Sequence, residues 1–417
     1  MALEPLTLGA DQEPTKYFGR DVFHFTQGSP DELLFNSDLR NIIEPHIAKA
    51  RKTREEKWKE ILLRTGIIVD QQDLGSSQIN KATQHYSIAS SAYIPYPSLR
   101  KERPFLFDTD TYPLHRILCE TLDVKNLQDI HLLPGDKKKI LKPLLDGRKR
   151  RAFHMCYDNF VTSFCIPLLH SLAMTEDLKG FHTSFGPSQH RLLQKSLSNK
   201  IGYRYQGFPC VRVIRPGDFS IGPHCDMSYG HSVGNINFHI PLTPTYGTNA
   251  LYTESYPGRE DWHPLKTKSA GLGFCFDGAR CLHFTTENTT ETTRVSLDFR
   301  IAIYRYQENS TGKKFNSMKS LSSRLDEYIQ APVNHNSSMV DMFTEHTNSE
   351  RHNDEIGVHD SLCNTRLLED NFSRPGYYED AYIDIGFHSS GKFNTGPVVH
   401  KVNHNLMTPD RRVGFPF

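Results

Sequence analysis

Residues 294–301 read Arg294-Val295-Ser296-Leu297-Asp298-Phe299-Arg300-Ile301, a strict alternation of polar and apolar side chains. A period of two is the signature of a β-strand with one face in an apolar core and the other in a polar environment. The same alternation runs through residues 234–240, where Asn235, Asn237 and His239 share one face and Ile236, Phe238 and Ile240 the other. Two such strands, with Gly/Pro turn signals between them, predict a mainly β core. Its polar faces line the inside of a barrel, and its apolar faces are covered by helices.

Outward from these strands lies a set of metal-ligand residue types. His224 and Asp226 are two apart, so on an extended chain both side chains point at one ion while Cys225 points away. His283, in the short apolar run Cys-Leu-His-Phe after the turn signal FDGAR, is the best-placed third ligand, with His231 or His239 next in line. Two imidazoles and a carboxylate on one face of a six-coordinate ferrous ion leave three positions open, enough for a chelating keto acid and dioxygen. Arg294 adds a guanidinium fork that grips a carboxylate in bidentate fashion, and Ser296 a hydroxyl two residues on. Arg300, on the same face, competes for that role.

Tyr203, Arg204, Arg212 and Arg215 cluster in sequence just before the metal motif, and His231 just after it. Such side chains either read the carboxylates of a small anionic substrate or belong to a surface strand.

The runs FPCVRVIRPGDFSIGPHCDMSYGH, GNINFHIPLT and LHFTTENTTETTRVSLDFRI together resemble the catalytic core of iron(II)- and 2-oxoglutarate-dependent dioxygenases. The resemblance implies a double-stranded β-helix, or jelly roll, with flanking helices. It implies His224, Asp226 and His283 as iron ligands, and Arg294 with Ser296 as the 2-oxoglutarate anchor, with Asn237 as a further cofactor-binding residue. Dioxygen is the co-oxidant, and ascorbate belongs in the assay. Within that superfamily the chain is most similar to the branch around the streptomycin-biosynthesis oxygenases, and among those to the algal kainoid synthases, which close a pyrrolidine ring on an N-prenylated glutamate. The implied substrate is therefore an anionic amino-acid derivative, held by Tyr203, Arg204, Arg212 and His231. The alternatives are a hydroxylase of another amino acid or a sugar-derived metabolite, a zinc or manganese enzyme indifferent to 2-oxoglutarate, and a non-catalytic barrel that only binds.

The rest of the chain bounds these expectations. Its 417 residues divide into an N-terminal helical and loop-rich extension (1–110), helical support plus the β-helix core (111–307), a polar segment expected to be mobile (308–360), and a C-terminal tail packing on the core (361–417). Helix is expected over 31–65, kinked or broken at Pro45, with Trp58, Ile61 and Leu62 on its packed face. Residues 112–198 read as helical, with His154 and His170 structural, and 246–258 and 259–269 read as long loops.

Lys+Arg of 49 against Asp+Glu of 48 leaves a net charge of +1, so neither nucleic acid nor an anionic membrane is an expected partner. The basic clusters Lys137–Lys139 and Arg148–Arg151 read as solvated helix faces. Eight cysteines form no C-x-x-C pair, which points to a reducing compartment. The start MALEPLTLGADQEP has no basic segment leading into an apolar one, so the expected location is cytoplasmic. Oligomeric state has no sequence signature here.

Overall fold

The computed structural model describes residues 37–64, 88, 97–135, 137–172, 200–305, 378–384 and 399–401. The polar 308–360 segment lies outside the described residues, as do 1–36 and most of 65–96.

The organising strand is β9 (Arg294–Arg305), in a chain whose strands run β1 (Arg103–Leu106), β2 (Lys200–Gln206), β3 (Cys210–Ile214), β4 (Asn235–Pro241), β5 (Leu251–Thr253), β6 (His263–Leu265), β7 (Leu272–Phe276), β8 (His283–Phe284), then β9, β10 (Tyr378–Asp384) and β11 (Val399–Lys401). An eight-stranded sheet has the order β1-β7-β4-β9-β2-β10-β11, with β3 also on β9. All its pairings are antiparallel. One edge of β9 is taken by β4; along the other, β3 covers Arg294–Asp298 and β2 covers Ile301–Arg305. A smaller antiparallel sheet has the order β6-β5-β8.

The alternation read in the sequence sorts the two faces of β9. Val295, Leu297, Phe299, Ile301 and Ile303 join Ile236, Phe238 and Ile240 of β4 in one apolar cluster. Helices cover it: α1 (Ser37–Arg64) lies elsewhere, while α2 (Leu114–Leu122), α3 (Lys137–Leu141), α4 (Arg151–Phe160) and α5 (Ile166–Leu172) contribute Leu118, Leu141, Tyr157 and Leu169 among others. Phe299 stacks on Phe238 at 5.1 Å and meets Tyr157 edge-on at 5.2 Å. Aromatic pairs of this geometry add about 0.5–1.5 kcal/mol each beyond the area they bury. On the other face, register sets Asn237 opposite Arg300, His239 opposite Asp298, and Arg212 of β3 opposite Ser296.

α1 passes through Pro45 without interruption, so of the kink or break expected there the break does not occur. Pro45 is exposed and costs the helix one backbone donor, a local loss that the packed half of the helix offsets. That half buries Trp58, Ile61 and Leu62 against Cys225, Met227, Val233 and Leu282, beneath the metal-ligand segments. The stretches 246–258 and 259–269, expected as loops, contain β5 and β6. Three-residue strands are too short to display an alternation. Part of the C-terminal tail is built into the main sheet: β10 pairs with β2 along seven residues, and Lys401 contacts Asp158 of α4.

Candidate metal centre

β8 and the segment before the turn Asp226–Tyr229 meet as a two-residue antiparallel bridge. His224 donates its N–H to the His283 carbonyl at 3.2 Å, and His283 returns the bond at 2.8 Å. Cys225, extended at φ −121°, sends its side chain into the apolar cluster with Trp58, so its two neighbours share the opposite side. Asp226 then opens a 3-10 turn closed by Gly230 at φ +89°. Asp226 Oδ1 is 3.7 Å from Nε2 of both His224 and His283, and all three residues are buried. Among the described residues this is the one group of three or more such side chains with ligand atoms within 4.8 Å of one another.

Each ligand atom is left available by what its neighbour atom does. Nδ1 of His224 donates to the Gly222 carbonyl at 2.8 Å, and Nδ1 of His283 to the Cys281 carbonyl at 3.0 Å. These bonds fix the tautomer that leaves Nε2 with its lone pair. Asp226 Oδ2 accepts from Nδ2 of Asn237 at 2.6 Å and from Nε of Arg300 at 2.7 Å, so Oδ1 is the oxygen that faces the imidazoles. Burial would raise the Asp226 carboxyl, but the Arg300 charge beside it outweighs that and holds it well below the usual range. Burial pushes His283 down to about 3. At neutral pH the group therefore presents a carboxylate and an unprotonated imidazole, the forms that bind metal. Gly278 sits so close to Asn237 that a Cβ there would lie 2.3 Å from its amide nitrogen, so this backbone approach requires glycine.

Farther along the polar face of β9, Arg294 is buried with one described partner, the Asn249 carbonyl at 3.0 Å from Nη1. Its Nε, the hydroxyl of Ser296 and Nε2 of His239 are buried without a hydrogen-bond partner. Burial, with the charge of Arg212, pulls the Arg294 guanidinium down to about 10 despite the charge of Asp298. Asp298 is already committed, accepting from Nε of Arg212 at 2.5 Å and Nδ1 of His239 at 2.7 Å. An anion reaching Arg294 and Ser296 would satisfy both.

The expected substrate cluster is only partly assembled. Tyr203 belongs to the opposite face: it is fully buried among the helices, and its hydroxyl bonds Nδ1 of His170 at 2.7 Å. Strand parity is the reason, since Tyr203 and Tyr205 alternate with Arg204 and Gln206. Arg204 lies on the polar face, paired with Asp380 at 3.1 Å. Arg212 lies beside Ser296, paired with Asp298 and within 3.3 Å of the Ser220 hydroxyl. His231 is buried close to Asp226 and helps depress that carboxyl. Asn237 contacts the metal-ligand carboxylate itself. His154 bonds the Gly207 carbonyl at 2.8 Å, a structural role as expected, as is that of His170. Two members of the basic clusters are not solvated: Lys137 ties Val213 and Asp218 together, and Arg150 is buried over the Phe208 ring. The pairing of Arg300 with Asp226, the Asp298 hub and the Gln206–Arg300 contact at 3.3 Å escaped sequence reasoning. The last two depend on strand register, and the first on how the turn at Asp226 meets β9.

The described residues thus define a mainly antiparallel β protein with helices on one face and a buried two-histidine, one-carboxylate group suited to a divalent metal. No family model matches the sequence. Over 116 residues the chain is 33% identical to the streptomycin biosynthesis protein StrG of Streptomyces griseus, an alignment covering 27% of this chain and 54% of that protein. The chain therefore spans about half the length of that curated relative. Among the described residues no helix is long and apolar enough to cross a membrane.

Proposed function

We propose that the chain is an iron(II)- and 2-oxoglutarate-dependent oxygenase on a double-stranded β-helix. The observation that carries this is the pairing of two incomplete groups on one polar face. Three side chains fill half the positions of a six-coordinate metal, and Nε of Arg294 and the Ser296 hydroxyl are buried donors without a hydrogen-bond partner. A dicarboxylic keto acid has one end for each. When bound, iron and 2-oxoglutarate supply oxidising power by coupling decarboxylation of the keto acid to reduction of dioxygen.

The chain's own residues do the rest. His224, Asp226 and His283 hold the metal from one side; Asn237 and Arg300 hold Asp226; Arg294 and Ser296 receive the distal carboxylate of the cosubstrate. Burial of these groups excludes bulk water from the reacting centre.

For the prime substrate we propose an anionic amino-acid derivative of small size, with an N-prenylated glutamate as the leading candidate and ring closure to a kainoid as the reaction. The resemblance of the core motifs supports this, and Arg212 and His231 remain on the side of the metal group to meet a carboxylate. Hydroxylation of another amino acid or of a sugar-derived metabolite is the alternative. Purified protein with ferrous iron, ascorbate and 2-oxoglutarate should release succinate, and omission of iron should abolish it. Mass spectrometry of prenylated and plain amino acids then separates the outcomes: ring closure removes two hydrogens, and hydroxylation adds one oxygen. Succinate release unaffected by iron would overturn the oxygenase assignment. Turnover of an unrelated sugar with none of the prenylated glutamate would overturn the substrate alone.

A further inference from the structure

Behind the loop that carries His283 lies a pair of charged side chains closed off from solvent. Arg54 of α1 and Glu254, just after β5, are 2% and 0% exposed, with Nη1 2.7 Å from Oε2. The same Oε2 accepts the N–H of Leu282 at 2.8 Å. The Glu254 N–H donates to the Leu282 carbonyl at 3.2 Å, and Arg54 Nη1 also reaches the Arg280 carbonyl at 3.4 Å. Leu282 is thereby gripped on both its backbone groups, one residue before the ligand His283. On its other side, Cys281 supplies the carbonyl that orients the His283 ring.

The loop bears on the second ligand as well. The Gly278 carbonyl receives the N–H of Asp226 at 2.9 Å, and the Ala279 carbonyl that of Met227 at 3.1 Å. Within the loop, Asp277 and Arg280 form a fully buried pair, with Nε to Oδ2 at 2.8 Å. Residues 277–283 thus carry the frames of both Asp226 and His283. α1, more than 200 positions earlier, reaches them through the Arg54 guanidinium, which bonds the Arg280 carbonyl, and through the apolar packing of Trp58, Ile61 and Leu62 on Leu282.

Stability alone does not account for an ion pair here. Two charges withdrawn from water lose much of what their attraction returns, and apolar side chains of similar volume often stabilise as well. A carboxylate at this place offers direction: one oxygen aimed at both Arg54 and the Leu282 N–H. Groups one step behind metal ligands commonly set affinity by about 10-fold to 100-fold.

We infer that Arg54 and Glu254 are positioning residues of the metal centre, so that α1, outside the β core, sets the affinity of the site for its metal by fixing His283 through Leu282. This rests on the metal-binding part of the proposed function. The test uses cobalt(II) on the full chain, with affinity and the visible d–d spectrum as readouts and thermal unfolding of the metal-free protein alongside. Glu254→Gln and Arg54→Met should each weaken cobalt binding by about 10-fold or more and alter the d–d bands, with Arg54→Lys recovering part of the loss. Leu118→Ala, a purely apolar lesion in the separate cluster under α2, should lower the melting temperature and leave cobalt affinity unchanged. Should Arg54→Met fail to fold, Glu254→Gln and Arg54→Lys carry the comparison. Variants that melt earlier yet bind cobalt as the wild type does would overturn the inference. Wild-type protein that binds no cobalt would overturn the metal centre itself, and with it this role.

Discussion

Nε of Arg300 donates to Oδ2 of Asp226 at 2.7 Å, from the middle of the strand that also carries Arg294. The two arginines are six residues apart on one face and differ in their partners: Arg300 neutralises and aims the Asp226 carboxylate, whereas Arg294 keeps a buried Nε without a partner. Arg300→Met should therefore weaken binding of a divalent metal by about 10-fold to 100-fold, the usual cost of losing a partner that orients a ligand. Asn237→Ala should act in the same direction. Titration with cobalt(II) measures both, and undiminished affinity in Arg300→Met would contradict this division of labour.

Arg294→Ala should instead raise the apparent KM for 2-oxoglutarate. Truncating one partner of a desolvated charge pair costs about 2–5 kcal/mol, a weakening on the order of 30-fold or more. Ser296→Ala should give a smaller loss, as expected for one hydroxyl bond. Steady-state kinetics in 2-oxoglutarate with metal saturating separates these effects from those of Arg300. A larger KM increase from Arg300→Met than from Arg294→Ala would reassign the anchor.

The pairing of His224 with Asp226 on one side of the chain and the faces of β4 and β9 were legible in the sequence because both rest on period two, which survives in a strand as long as β9. Cross-strand partners were not. Asn237 meets Arg300 through a register between residues more than 60 positions apart, and no local pattern encodes it. Arg54 and Glu254 are 200 positions apart and become neighbours only when α1 packs. Tyr203 stands apart for another reason: closeness to the metal motif in sequence is not closeness in space, and the alternation of β2 puts it on the face opposite Arg204.

Tyr203 accordingly makes a discriminating control. Its hydroxyl serves the buried bond to His170, so Tyr203→Phe should cost about 1–3 kcal/mol of stability. The KM for the prime substrate should stay unchanged. Chemical denaturation and steady-state kinetics check the two halves separately, and a raised KM without loss of stability would return Tyr203 to the substrate site.

The pH dependence of stability follows from His263 on β6. Its Nε2 donates to the Glu102 carboxylate and its Nδ1 to the Asp261 carbonyl at 3.0 Å, so both ring nitrogens face acceptors. Burial alone would lower this histidine, but the hydrogen bond and charge of Glu102 outweigh it and raise it from 6.5 to about 9. A folded-state value above the unfolded one stabilises the protein fully below the unfolded pKa, and the contribution disappears as pH rises through the folded one. Stability should therefore fall between about pH 6.5 and 9, by at most ~3 kcal/mol. Glu102→Gln removes the charge that holds the proton, so its stability at pH 6 should drop towards the wild-type value at high pH, and the slope in this window should flatten. Urea unfolding at a series of pH values measures both, and an unchanged slope in Glu102→Gln would assign the pH dependence to another group.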